Sequence, residues 1–463
     1  MLGKAKRNLS PEEKRCFYLS AFTIALLFSS LLPQSTFART WYIKADGTGD
    51  APTIQAGVDS AAVGDTVMVA GGVYSDTTHV KIYSSPVPVN VHLNKNIVLA
   101  GETPGPDVII NGALSATAIF VHDVDSTAVI RSMKIRRADP TIYCILDTES
   151  DVFRVPLQHE DAGILCRNAS PRIEENELVD LGYGVKIEGG AAFVHGNSFL
   201  RTFAAVSLTN STTAMISYNA FDTFWVAIGG SGCSPQIVGN MIQGNQNSCT
   251  GINLYDAFPY ISSNVLRDVE YDIITLHTSR ATIEHNSIEA GAWSGVSLVQ
   301  CNSSVVRYNT FRSNALALAI QASLQVTVEN NTFDGVGTDG IVIDQYSNPV
   351  IRRNIISRIL YAVECIVGAS PTFECNDIFG ATRGYLGCPD QTGLNGNIAV
   401  DPEFCGIDES GNYFLQSDSP CAPGNHPDGY ECGVIGALPV NCGKVDVEKK
   451  SWGSIKSLYK KDG

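Results

Sequence analysis

The chain has 463 residues, of which 44% are hydrophobic and 17% charged, and carries a formal net charge of −15. An excess of carboxylates on this scale excludes nucleic-acid binding through phosphate neutralisation and attachment to an anionic membrane by charge alone. Its thirteen cysteines include no CxxC or adjacent Cys/His pair, so disulfides are expected rather than zinc.

Residues 1–38 read as an export signal. Lys4, Lys6, Arg7, Lys14 and Arg15 precede an apolar stretch from Phe17 to Leu32, and Thr36-Phe37-Ala38 offers small residues for cleavage. The stretch is short for a membrane span, and nothing later is long and apolar enough for one. Removing this segment, with its five basic and two acidic groups, takes the net charge from −15 to −18. It also removes Cys16, leaving an even twelve cysteines for an oxidising compartment.

Residues 39–404 are expected to form one solenoid. An opening stretch, Trp41 to Asp50, is followed by Pro52-Thr53-Ile54-Gln55-Ala56-Gly57-Val58. Thr53 suits a helix N-cap, and Ile54, Val58 and Ala61 or Ala62 fall on one face, as a short helix closing the end of a rod requires. Further on, Asn176, Asn197, Asn219, Asn240, Asn264, Asn286, Asn309, Asn331, Asn354 and Asn376 recur at intervals of 21 to 24 residues. Each sits in an apolar-x-x-Asn-x-apolar phrase, as in Ile173–Asn176–Leu178 and Val328–Asn331–Phe333. A fixed period in the low twenties marks stacked coils that bury their apolar faces only against their neighbours.

Leucine-rich repeats share that period, but here the apolar slots hold Ile, Val, Phe or Met indifferently. Each unit instead contains short β-branched and aromatic runs split by Gly, Asn, Ser and Asp. Three short strands per coil describe a parallel β-helix, and ten coils spaced by roughly 4.8 Å give a rod on the order of 48 Å. The asparagines are read as structural: each is expected to take the left-handed corner and to ladder its amide to the coils on either side. Met133 takes an asparagine slot 43 residues before Asn176, so residues 139–162, with Arg154, His159, Glu160 and Asp161, form an excursion from one coil. Such an insertion can build a functional rim, although surface salt pairing accounts for the same residues.

Residues 405–442 lose the repeat, become rich in Pro, Gly and Asp, and hold Cys405, Cys421, Cys432 and Cys442. They read as a disulfide-stapled cap over the last coils, with Cys421–Cys432 the expected pair. Residues 443–463 are a basic tail in which six lysines are interspersed with Trp452, Ile455, Leu458 and Tyr459. An amphipathic docking tag and a solvated tail both fit it.

The asparagine phrase and the opening segment through Gly64-Asp65-Thr66-Val67-Met68-Val69 and Gly71-Gly72-Val73-Tyr74 resemble the right-handed parallel β-helix proteins of the pectin-lyase-like superfamily, over roughly residues 40–400. That resemblance implies an all-β, right-handed parallel β-helix with an N-terminal capping helix. It leaves activity open, because the superfamily hosts lyases, hydrolases, epimerases and proteins without known chemistry. Its polysaccharide-cleaving members use calcium-binding acids with an arginine or lysine base, or clustered aspartates. Asn-Thr-Asp, Gly-His-Gly and Arg-Ile-Lys are all missing here, the coils contain no Asp-Asp pair, and the eight histidines are scattered. No catalytic residue, metal or cofactor is indicated, and the oligomeric state is not legible.

Registering the coils on their asparagines gives an outward stack of Lys186, Ser207, Asn253, Thr275 and Ser297, flanked by Glu188, Tyr255, Asp256, His277 and Asp344. At the preceding corner lie Tyr183, Phe203, Trp225, Tyr271, Trp293 and Tyr361. Rings beside hydroxyls and amides make a sugar-binding surface, and Trp225, Asn253, Tyr255, Tyr271, His277 and Trp293 are its candidate residues. Aromatic stacking that merely supports the rod is the alternative. The sequence thus offers two readings: an exported β-helix that binds a glycan or surface polymer, or acts as a scaffold, without catalysis, and a polysaccharide lyase or glycoside hydrolase on the same fold.

Overall fold

The computed structural model describes residues 38–82, 85–102, 108–112, 117–137, 162–210, 212–245, 249–406 and 411–442. Residues 1–37 of the expected export signal at 1–38, residues 139–161 of the expected excursion at 139–162, and the expected basic tail at 443–463 lie outside these. Residues 1–39 make up one unit, of which Ala38 and Arg39 are described, and the chain from Thr40 makes up the other.

Alternating apolar residues build the second unit into a parallel β-helix. One sheet of fourteen strands and one of twenty-four run along the rod. In the fourteen-stranded sheet, Ile173 registers with Val194, Val194 with Ile216 and Ile216 with Ile237. These residues are fully buried, as are Leu178, Ile242, Leu266 and Ile288, each two positions past a ladder asparagine. Where that second slot is aromatic the rings stack, Phe199 on Phe221 at 4.9 Å and Phe311 on Phe333 at 4.7 Å. Facing the solvent, the same sheet alternates charge from coil to coil. Glu284, Arg307, Glu329, Arg352 and Glu374 are in register. Arg307 Nε donates to Glu284 at 2.6 Å and Arg352 Nε to Glu329 at 2.8 Å. Partly exposed pairs like these are each worth about 0–1 kcal/mol.

The asparagine ladder runs through the interior corner. Asn264 Nδ2 donates to Asn286 Oδ1 at 2.9 Å and to the Ile237 carbonyl at 2.8 Å, while Asn264 Oδ1 accepts from the backbone and side-chain amides of Asn240. The pattern repeats from Asn176 to Asn376 and extends one coil further, to Asn397, which accepts from Asn376 N and Nδ2. One expectation is corrected. The ten ladder asparagines do not take the left-handed turn; the residue before each does, including Glu175, Tyr218, His285, Tyr308 and Arg353 with φ between 53° and 56°. This division frees the asparagine side chain to reach along the rod while its predecessor turns the chain.

At the N-terminal end, Thr53 Oγ1 accepts from Ala56 N at 3.1 Å and starts the helix Ile54–Ser60. The helix buries Ile54, Gly57 and Val58. A Cβ on Gly57 would stand 2.6 Å from Ile43 Cδ1, so glycine is needed for this helix to lie against the first strand.

The cysteine-rich segment packs along the flank of the last coils. Phe404, Tyr413, Leu415, Cys421, Cys432 and Ile435 form an apolar cluster with Ile355 and Cys375 of the solenoid. Polar contacts lock it: Tyr413 donates its hydroxyl to buried Asp334 at 2.9 Å, Asn330 Nδ2 donates to the Val434 carbonyl at 2.7 Å, and Ala437 N donates to Thr332 Oγ1 at 3.0 Å. Among the described residues the disulfides are Cys365–Cys388, Cys375–Cys432 and Cys405–Cys442. The expected Cys421–Cys432 pair is therefore not made. Cys432 reaches a solenoid corner, and Cys421 is a buried thiol donating to Asp377 Oδ2 at 3.2 Å. Cys166, Cys233, Cys249 and Cys301 are also buried and unpaired. Cys301 takes the place of a corner serine: its thiol donates to the Leu276 carbonyl at 3.2 Å, and its amide donates to Ser323 Oγ at 2.8 Å.

Candidate ligand-binding face

The outer face of the twenty-four-stranded sheet carries the candidate residues, because residues one and three past the inward Ile252, Ile274 and Val296 point outward. Asn253, Thr275 and Ser297 register in one column, and Tyr255 with His277 in the next. The Tyr255 and His277 rings stack at 4.6 Å, only 4° from parallel.

The second aromatic row lies at the corner before the strand. Phe203 and Trp225 stack 6.2 Å apart and 6° from parallel. Trp225 meets Tyr271 edge-on at 6.3 Å, and Tyr271 meets Trp293 edge-on at 5.6 Å. The intervening coil places Cys249 in that slot, fully buried, which lets Trp225 and Tyr271 touch across it. Trp293 is 64% exposed and Tyr255 44%. The two rows lie six positions apart along the chain, at most roughly 20 Å.

Tyr183 and Tyr361 do not belong to this row. Tyr183 registers with Ala204, one position past Phe203, and Lys186 lies over its ring at 5.5 Å. Tyr361 registers with Asp339. Lys186 is no free outward group either, being buried and paired with Glu188 at 2.8 Å.

Among the hydrogen-bonding groups on this face, Asp272 is held by its neighbours. Ser294 Oγ donates to Oδ1 at 2.5 Å and Thr275 Oγ1 to Oδ2 at 3.1 Å. Two acceptors are different: Asn253 Oδ1 and Glu270 Oε2 are buried without a protein donor.

Sequence reading missed two other places. A cleft of about 430 Å³ lies between the corner residues His285, Tyr308, Asn330 and Arg353 and the flanking segment at Val434–Pro439. The histidines are also less scattered than they look. His92 Nε2 lies 2.6 Å from His122 Nε2, and His122 Nδ1 is 2.8 Å from Asp123. Burial, then the neighbouring His122, lowers the pKa of His92. Among the described residues, no three His, Cys, Asp or Glu side chains gather where they could hold a metal ion. No helix among them is long and apolar enough to cross a membrane.

Parallel strands, the asparagine corner and the helix at the first coil define a parallel β-helix repeat protein. A family described as "Right handed beta helix region" matches residues 226–408. Similarity to solved structures is at low identity. The chain is 14% identical to pectate lyase Pel9A, covering 89% of this chain and 99% of that one at a TM-score of 0.44. It is 13% identical to the A-module of mannuronan C-5 epimerase AlgE6 from Azotobacter vinelandii, covering 75% and 94% at 0.42. With the PL6 family alginate lyase AlyGC the identity is 15%, the coverage 88% and 58%, and the TM-score 0.47. No curated protein matches the chain.

Proposed function

We propose that this is an exported protein, secreted or held at the cell surface, that binds a polysaccharide or similar surface polymer without cleaving it. One observation carries this reading. Phe203, Trp225, Tyr271 and Trp293 form a continuous chain of ring contacts on the same sheet as the Tyr255–His277 stack, with Asn253, Thr275 and Ser297 between the rows. Rings cover the C–H faces of sugars while amides and hydroxyls bond their hydroxyl groups. The carboxylate between the rows, Asp272, accepts from the Ser294 and Thr275 hydroxyls. Three disulfides suit an oxidising compartment.

The test is a glycan array with the mature chain, followed by isothermal titration. Each exposed ring is worth on the order of 1 kcal/mol, so the Trp225→Ala/Trp293→Ala double variant should lose about tenfold in affinity and keep its melting point. Unchanged affinity in that variant removes the strip from the reading. Release of new reducing ends or unsaturated uronates makes the protein a carbohydrate-active enzyme instead.

A further inference from the structure

We infer that the polymer taken by this face is an uncharged glycan and not a polyuronate, an inference that rests on the binding role proposed above. The argument is one of register. Six successive coils present Ser207, Gly229, Asn253, Thr275, Ser297 and Ala319 in a single outward column. Over the same coils, the described outward positions on either side of this column contain no lysine or arginine. Their charged members are Glu270, Asp272 and, at the turn after Tyr255, Asp256.

Cations at the margins are engaged, Arg267 by the neutral Gln243 amide oxygen and the others by carboxylates. Lys186 pairs with Glu188, Arg201 with Asp180 at 2.6 Å and Arg312 with Glu289 at 3.6 Å. Arg280 is exposed, but it lies three residues beyond His277, past the next corner. Beyond the sixth coil the face turns more acidic, as Leu316 registers with Asp339, Gln321 with Asp344 and Val342 with Glu364. Burial, then Asp339 and Asp344, raises the pKa of Glu364, as expected of carboxylates without a neutralising cation nearby.

A polyuronate laid along these coils would bring a carboxylate with each sugar into a field of its own sign. It would also lose hydration without a guanidinium or ammonium to replace it. Sugar hydroxyls carry no charge and meet neither penalty.

The experiment measures binding of the mature chain to laminarin, xylan and mannan against polygalacturonate and alginate, at about 20 mM and about 500 mM salt, since like-charge repulsion is screened at the higher value. At low salt, at least one neutral polymer should bind tenfold or more tighter than either polyuronate, with the gap narrowing at high salt. Equal or tighter binding of a polyuronate at low salt overturns the inference while leaving the binding role standing. No binding to any of the five overturns both. The Ser207→Lys/Ser297→Lys variant separates charge from shape: it should gain polyuronate binding at low salt with an unchanged melting point. A folded variant that gains none also overturns the inference.

Discussion

Replacing Asn264 with leucine tests the ladder where it is flanked by rungs on both sides. The side chain is 1% exposed and takes part in four hydrogen bonds: its amide donates to Ile237 O and Asn286 Oδ1, and its oxygen accepts from Asn240 N and Nδ2. Leucine is close in size and removes all four. Asn286 Oδ1 keeps the Asn264 backbone donor, Asn240 Nδ2 keeps Ile216 O and Ile237 C=O lies within the strand ladder to Ser262, so the group that suffers is Asn240 N–H. One buried orphan costs about 1–3 kcal/mol. That is a large share of the ~5–15 kcal/mol that holds a domain together. Because coils contact only their neighbours, the loss should open the rod locally around residues 237–264 before it unfolds the whole. Urea melts followed by far-ultraviolet circular dichroism read the total, and hydrogen exchange reads the locality. Val265→Thr, two-fifths exposed on the adjoining strand, serves as control; Ser262, next but one to the ladder, is buried and unsuitable. If Asn264→Leu melts with the control, the asparagines do not hold the corners.

Four further outcomes are expected around the flanking segment. Burial raises the pKa of Asp377 to about 7 from a usual 3.8, so the folded state holds its proton more tightly than the unfolded one. Stability from this group is complete below about pH 4 and falls as pH rises toward 7; Asp377→Asn should flatten melting temperature against pH across that window. Cys432→Ser opens the Cys375–Cys432 bridge, which spans 57 residues, and should cost roughly 4 kcal/mol in thermal melts, with no loss overturning its role as a staple. Alkylation after denaturation without reductant should label Cys421 and leave Cys375, Cys405, Cys432 and Cys442 unlabelled. Tyr413→Phe leaves Asp334 bound by Arg358 and Ser357, so it should cost only about 1–2 kcal/mol, measured by exchange of the 411–437 amides.

The coil architecture was legible in the amino-acid sequence because each coil is specified locally. Alternating apolar residues aim into the rod, and one amide per turn ladders to its equivalents some 22 residues away, so periodicity alone predicts the stacking. The helix start at Thr53 was legible for the same reason, since N-cap and apolar face are local signals. The eleventh rung, Asn397, keeps the period but lies among Gly and Pro and is followed by Ala399 instead of a large apolar residue, which hid it. Which residue bends each corner depends on competing uses of the asparagine side chain, settled only when neighbouring coils occupy it. The aromatic row needed the same information: Trp225 touches Tyr271 only because Cys249 sinks into the core between them. Cysteine pairing was least legible. Cys432 finds Cys375, and Cys421 finds Asp377, because an irregular segment folds back onto the flank of the last coils. A repeat fixes its own neighbours through its period, whereas a non-repeating segment has its neighbours chosen by burial and hydrogen bonding across the assembled surface.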